Sequence, residues 1–123
     1  LLNNVPDILE PLNTGQIWVL FSQHKIYNEY GEALCKSFRS QNYKVEYILL
    51  EDGEKAKTYK TMEKLYSQLL VYGCDRSSIF IALGGGVVGD IGGFASSIIL
   101  RGIKMIQIPT TGISTITMFQ YRP

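Results

Sequence analysis

The stretch IALGGGVVGDIGG, residues 81–93, contains six glycines and a single charged residue in thirteen positions. Glycine is favoured where a chain turns sharply or where its backbone approaches another group closely. The residues SIFIAL (78–83), which lead into the glycines, have the length and composition of a buried strand. The stretch therefore predicts a strand, a tight turn and the start of a helix, and it raises the question of what the turn receives.

Three other apolar runs have strand length: IWVLF (17–21), VEYILL (45–50) and KMIQIP (104–109). Two segments between the runs repeat apolar residues at steps of three and four, as the buried face of a helix does. These residues are Tyr27, Tyr30, Leu34 and Phe38, and then Met62, Leu65, Tyr66, Leu69 and Leu70. Gly73 stands where a helix C-cap is expected. The alternation predicts an open, doubly wound, Rossmann-like parallel sheet with its ligand site at the carboxyl ends of the strands.

Composition narrows the class of protein. The chain has 123 residues, of which 46% are hydrophobic, and this is enough for one domain with a core. Its net charge of +1 gives no reason to expect a nucleic-acid partner. Cys35, Cys74 and the single histidine, His24, match no metal or redox spacing, so we expect reduced thiols and a cytoplasmic location. No signal peptide is expected, and because the chain starts at Leu1 rather than Met we expect it to be part of something longer.

A membrane span is one interpretation of residues 79–100, because Asp90 is their only charged side chain before Arg101. A span needs about 20 apolar residues. Three consecutive glycines, each costing about 1 kcal/mol in a helix interior, argue against it. An aspartate at mid-depth would also be costly. We therefore expect no membrane span.

Two interpretations of the turn stay open on the pattern alone. In the structural one, Gly92 and Gly93 let a buried helix pack closely against the sheet. In the other, Gly84, Gly86 and Gly89 fit G-x-G-x-x-G, whose backbone N–H groups approach a pyrophosphate at a helix N-terminus. The pattern departs from the ordinary dinucleotide fingerprint, because it follows the third strand and the next strand ends without an acid for a ribose.

Three segments together carry a resemblance to a known family. LEDGEKAK (50–57), RSSIFIALGGGVVGDIGGFAS (76–96) and LRGIKMIQIPTT (100–111) follow one another in that order. They resemble the N-terminal, NAD-binding part of the 3-dehydroquinate synthase family, within the sugar phosphate cyclase superfamily. The similarity runs from about Trp18 to Thr111. It implies an NAD-binding α/β domain over residues 1–111, followed by a divergent tail over residues 112–123.

The resemblance implies a cofactor role for particular residues. Asp52, Glu54 and Lys57 match positions that contact the adenosine side of NAD. The pyrophosphate and ribose contacts fall on the glycine turn, at Gly85, Gly86, Val87, Val88, Gly89 and Asp90. Without the resemblance, Glu54 and Lys57 also fit a solvated run of charges ahead of a helix.

The resemblance also implies roles for residues beyond the turn. Thr110 and Thr111 match a pair near the nicotinamide half of NAD. On pattern alone, two threonines after Pro109 also fit an ordinary turn at the end of a strand. Arg101 matches an arginine that binds the substrate phosphate across a dimer interface. On pattern alone, Arg101 also fits the exposed end of a helix, where a cation suits the dipole.

The chain departs from the family in three places. Ser22 and His24 stand where the family has Asp or Asn side chains near the adenine ribose. After Thr111 the chain reads GISTITMFQYRP, with Thr117 in place of an aspartate and no following lysine. The helical C-terminal half of the family, with the glutamate and two histidines that bind zinc, has no counterpart in these residues.

The family reaction converts 3-deoxy-D-arabino-heptulosonate 7-phosphate to 3-dehydroquinate and phosphate in chorismate and aromatic amino acid biosynthesis. The resemblance implies NAD, a divalent metal (zinc or cobalt) in the complete homodimeric enzyme, and a phosphorylated sugar acid as substrate. Because the metal half is not matched, we expect no catalytic residue in this chain and no turnover by it alone. The alternatives are a non-catalytic, stand-alone NAD-binding module or another sugar phosphate cyclase.

Overall fold

A five-stranded sheet forms the centre of the fold in the computed structural model, which describes residues 4–51, 59–86, 88, 103–110 and 117–120. The strands are β1 (Ile17–Gln23), β2 (Lys44–Leu50), β3 (Ile79–Leu83), β4 (Lys104–Ile108) and β5 (Thr117–Gln120), in the spatial order β2-β1-β3-β4-β5. The four strands predicted from apolar runs are all present, with ends within two residues of those expected. The first four strands run parallel to one another, as the alternation of strands and helices predicts.

The fifth strand was not predicted from the sequence. β5 pairs with β4 in the antiparallel sense, with Gln120 opposite Lys104 and Thr117 opposite Gln107. The sequence analysis placed these residues in a divergent tail and assigned them no strand. A segment of four residues such as TMFQ is too short to give a clear strand signal by itself, and here the edge of β4 supplies the pairing.

Helices cover both faces of the sheet. They are α1 (Val5–Leu9), a 3-10 turn (Glu10–Leu12), α2 (His24–Ile26), a π-helical segment (Tyr27–Gly31), α3 (Glu32–Ser40) and α4 (Tyr59–Val71). Alternate residues of a strand point to opposite faces, so Trp18 and Leu20 join one apolar cluster with α1 and α3. Val19 and Phe21 join a second cluster with α4. This two-sided packing is the doubly wound arrangement predicted from the sequence.

The helical stripes are narrower than the sequence predicts. Tyr27, Leu34 and Phe38 of the first stripe are buried, and so are Leu65 and Leu69 of the second, whereas Met62 is half-buried. Three predicted core residues are instead exposed: Tyr30 at 40%, Tyr66 at 48% and Leu70 at 60%. A helix lying on a flat sheet buries only the part of its surface that faces the strands, and these three residues lie beyond it.

The end of α4 confirms the predicted C-cap. Gly73 has a φ of +75°, which glycine adopts without the strain that a side chain would cause. Its N–H donates to the Leu70 carbonyl at 3.1 Å, and the N–H of Cys74 donates to the Leu69 carbonyl at 3.0 Å. This is a Schellman arrangement, which satisfies the last carbonyls of the helix and turns the chain toward β3.

Candidate functional site

The carboxyl ends of β1 and β3 form a topological switch point. The chain passes from β1 to β2 on one side and then returns across β1 to β3 on the other side. The helices after β1 pack into the first cluster, whereas Val88, shortly after β3, packs into the second. In open α/β sheets a ligand binds outside the strands at such a point, because the two following helices leave on opposite faces.

The strand pairing shows where the sheet parts. β1 stays paired with β2 as far as Gln23 opposite Leu50. The ladder between β1 and β3 ends earlier, at Phe21 opposite Ala82. β3 nevertheless stays paired with β4 through its last residue. The sheet therefore separates between β1 and β3 alone, beside the glycine turn.

Gly84 is the first residue of the glycine turn. Both its backbone conformation and its close neighbours favour glycine at this position. Its φ is +146°, in a region that residues with side chains rarely adopt. A Cβ at this position would lie 3.0 Å from Cγ2 of Val88 and 3.2 Å from Cδ1 of Ile26. The N–H of Gly84 donates to the Ile108 carbonyl at 3.1 Å, so the turn begins from a fixed point.

Gly85 and Gly86 have a different environment from Gly84. Both are exposed, and a Cβ added to either would meet no atom within 4 Å. Gly86, like Val88, has helical conformation, so these glycines leave open space where helical conformation begins. Bare backbone in open space at a helix N-terminus fits the approach of a pyrophosphate.

The other implied cofactor residues divide into two groups. Thr110 is half-buried and follows β4 at the same edge of the sheet, whereas Val88 points its side chain into the core and can offer a ligand only its backbone. The remaining implied residues, namely Asp52, Glu54, Lys57, Val87, Gly89, Asp90, Arg101 and Thr111, lie outside the described residues.

Ser22, near the end of β1, and His24, just after it, were compared with ribose-binding positions, and their environments differ. The Ser22 side chain is fully buried, and its hydroxyl donates to the Leu83 carbonyl at 2.8 Å, so it is engaged inside the protein. His24 is exposed at the start of α2. Sequence reasoning missed Gln23, a half-buried amide that ends β1 at the switch point. The alternation of side chains along β1 was the available signal, since it puts Ser22 and Gln23 on opposite faces.

A tyrosine pair lies behind the helical segment that follows β1. Tyr27 stacks on Tyr47 of β2, with ring centroids 4.5 Å apart. Burial raises the pKa of Tyr27 to about 12 and the pKa of the neighbouring Cys35 to about 11. Both groups are therefore neutral near pH 7, and they contribute to the packing of the first apolar cluster rather than to the charge of the site.

The described residues contain neither a metal-binding cluster nor a membrane span. No group of three His, Cys, Asp or Glu side chains suited to a metal occurs there. No helix in the described part of the chain has the length and apolar character needed to cross a bilayer.

A glycine turn at the switch point of a mostly parallel sheet defines a Rossmann-like α/β domain, and solved structures share this fold. One is 2-deoxy-scyllo-inosose synthase complexed with carbaglucose-6-phosphate, NAD+ and Co2+, at a TM-score of 0.77 and 22% identity over 99% of this chain and 38% of that one. Another is ValA (2-epi-5-epi-valiolone synthase) from Streptomyces hygroscopicus subsp. jinggangensis 5008 with NAD+ and Zn2+ bound. Its TM-score is 0.73 and its identity 24%, over 89% of this chain and 30% of that one.

Sequence comparison identifies the family. The sequence model of the 3-dehydroquinate synthase N-terminal region matches residues 47–118. The chain is 40% identical over 116 residues to 3-dehydroquinate synthase of Clostridium acetobutylicum, covering 94% of this chain and 33% of that protein. It is 39% identical over 118 residues to the synthase of Prochlorococcus marinus strain MIT 9312, covering 94% and 32%. The chain therefore belongs to the 3-dehydroquinate synthase family, and it spans about a third of the length of the curated relatives it matches.

The matched range also bears on the tail. It extends past Thr111 to residue 118, inside β5. The predicted division of the chain at residue 111 stays a prediction.

Proposed function

We propose that this chain is the NAD-binding part of a 3-dehydroquinate synthase and that it holds NAD at the switch point between β1 and β3. The observation that carries the proposal is the contrast within the glycine turn. Gly84 is constrained by its φ and its neighbours, whereas Gly85 and Gly86 are exposed with open space around them. A turn that is anchored at one end and bare at the other suits a pyrophosphate better than it suits close packing alone.

The residues implied by the family resemblance complete the proposed site. The backbone from Gly85 to Gly89 would contact the pyrophosphate, and Asp90 would accept a hydrogen bond from a ribose hydroxyl. Asp52, Glu54 and Lys57 would contact the adenosine side. Thr110 and Thr111 would lie near the nicotinamide half.

The proposed activity is that of the family, the conversion of 3-deoxy-D-arabino-heptulosonate 7-phosphate to 3-dehydroquinate and phosphate. NAD, when bound, supplies a reversible hydride acceptor. The part played by this chain is to bind and orient the cofactor, and Arg101 would hold the substrate phosphate across a dimer interface. The zinc- or cobalt-binding residues of the family match nothing in this sequence, so we expect no turnover by these 123 residues alone. The proposed location of the protein is the cytoplasm.

Calorimetric titration of the purified chain with NAD tests the proposal. The variant Gly86→Asp places a carboxylate in the open space of the turn, where it would block and repel the pyrophosphate. The control Thr14→Asp adds the same charge to the exposed loop ahead of β1, at the amino ends of the parallel strands and away from the glycine turn. We expect the unmodified chain and the control to bind and Gly86→Asp not to bind. Absence of binding to the unmodified chain, or equal binding by Gly86→Asp, would contradict the proposal.

A further inference from the structure

We propose that Ser22 is a positioning residue that sets the geometry of the glycine turn and, through it, the affinity for NAD. The inference rests on the proposed function of the turn, although its structural part can be tested without the cofactor. Ser22 does not contact the ligand in this proposal. It acts through the carbonyl of Leu83, which immediately precedes the turn.

The first step is the register of the sheet. The last pair between β1 and β3 is Phe21 opposite Ala82, so the next pair along the same register would be Ser22 opposite Leu83. That pair is absent from the ladder, and the Ser22 hydroxyl instead donates to the Leu83 carbonyl at 2.8 Å. A side chain has therefore taken the place of a backbone contact where the two strands separate.

The second step is burial. The side chains of Ser22 and Leu83 are both fully buried, and their hydrogen bond lies within the protein. A buried carbonyl left without a donor costs free energy, so strands that part inside a core need a substitute donor. The Ser22 hydroxyl is that donor, which lets β1 and β3 part without leaving a buried polar atom unsatisfied.

The third step concerns one peptide unit, the bond that joins Leu83 to Gly84. Its carbonyl accepts the hydrogen bond from Ser22 on β1. Its N–H donates to the Ile108 carbonyl on β4 at 3.1 Å. This peptide plane is therefore held from both neighbouring strands, and its orientation determines the direction in which the N–H groups of the following glycines point.

Three variants test the role of Ser22. Ser22→Ala removes the hydroxyl, Ser22→Cys nearly keeps the shape but donates poorly, and Ser22→Thr keeps the hydroxyl. The matched control is Ser78→Ala. Ser78 is the other buried serine among the described residues, and its hydroxyl oxygen accepts from the Asp75 N–H at 3.1 Å just before β3 begins, at the end remote from the turn.

The first readout is NAD affinity by calorimetry. We expect Ser22→Ala and Ser22→Cys to bind NAD about fivefold to tenfold more weakly than the unmodified chain, since one buried hydrogen bond no longer fixes the turn. Ser22→Thr should recover most of that loss, and Ser78→Ala should bind normally. If the Ser22 variants that lack a good donor bind NAD as tightly as Ser78→Ala does, the inference is overturned.

The second readout is amide hydrogen exchange without NAD. We expect the amide of Gly84, which donates to the Ile108 carbonyl, to exchange about fivefold to tenfold faster in Ser22→Ala and Ser22→Cys, relative to Ser78→Ala at matched global stability. Unchanged exchange in the turn overturns the inference even where NAD binds. Faster exchange in a chain that does not bind NAD upholds the positioning role and refutes the proposed cofactor function instead.

Discussion

Replacing Gly84 by alanine is the most direct test of the idea that the three consecutive glycines have different tasks. The alanine would have to adopt a φ of +146°, a strain of about 1–3 kcal/mol. Its Cβ would also lie 3.0 Å from Cγ2 of Val88, closer than ordinary van der Waals contact, and such overpacking costs about 1 kcal/mol more. We therefore expect Gly84→Ala to lower the free energy of unfolding by about 2–4 kcal/mol.

Gly86→Ala provides the matched comparison, two residues further along the turn. Its Cβ would meet nothing within 4 Å, and the residue is helical, so alanine should leave stability unchanged or raise it by up to about 1 kcal/mol. The same variant should nevertheless weaken NAD binding, because the methyl group occupies the open space. Neighbouring glycines are thus expected to give effects of opposite sign on stability.

Urea unfolding followed by the fluorescence of Trp18 measures both variants. Trp18 is the single tryptophan and is fully buried, with its ring centroid 5.0 Å from that of Tyr43, so unfolding changes its surroundings completely. With a urea slope of about 2 kcal/mol per molar, the expected loss in Gly84→Ala moves the midpoint down by about 1–2 M. A Gly84→Ala midpoint equal to or above that of Gly86→Ala would refute the reasoning.

Three further predictions concern stability. Tyr43→Phe should cost about 1–2 kcal/mol in urea unfolding, because the buried hydroxyl donates to the Pro6 carbonyl at 2.5 Å and so holds α1. Gly31→Ala should destabilise by about 1–3 kcal/mol despite the helical site, because its Cβ would lie 2.6 Å from Cδ2 of Tyr27. Stability should fall by roughly 2 kcal/mol between pH 9 and pH 11 through Cys35, whose pKa burial raises from 9.0 to about 11. The folded state keeps the thiol proton in that window while the unfolded state loses it, so this contribution is complete below pH 9 and is lost as pH rises.

Each of these predictions has its own control. Tyr66→Phe removes the hydroxyl of an exposed tyrosine and should be nearly neutral, so equal effects at Tyr43 and Tyr66 would argue against a structural hydroxyl. Ala33→Gly, on the exposed side of α3, should cost about 1 kcal/mol, and a stabilised Gly31→Ala would contradict the packing argument. The variant Cys35→Ala should reduce the loss of stability between pH 9 and pH 11 and leave the part due to Cys74, whose pKa burial also raises to about 11. An unchanged slope would assign the loss to groups other than Cys35.

The strands could be predicted from the sequence because the composition of each short segment indicates a strand without reference to distant residues. IWVLF and SIFIAL are apolar and rich in β-branched or aromatic residues, and both become strands at the positions expected. The glycine turn is likewise readable, since a residue at a φ of +146° must be glycine or be strained. The fold class follows from the alternation of these strands with helices.

Features that depend on long-range contacts could not be predicted in the same way. The exposure of Tyr66 and Leu70 depends on how α4 is rotated on the sheet, which periodicity alone does not define. The hydrogen bond from Ser22 joins residues 61 positions apart in the chain. β5 arises from pairing with the edge of β4, and its four residues are too few to show a strand pattern of their own. The spatial order of the strands also depends on the direction of each crossover.

The separation of the two apolar clusters by the sheet has a consequence for how this site can change during evolution. Ile26, on one side of the glycine turn, packs against the cluster that contains Leu34 and Phe38. Val88, on the other side, belongs to the cluster that contains Leu69. A substitution in one hydrophobic layer therefore reaches the turn from one side only. We therefore expect substitutions confined to one layer to leave the contact from the opposite layer in place.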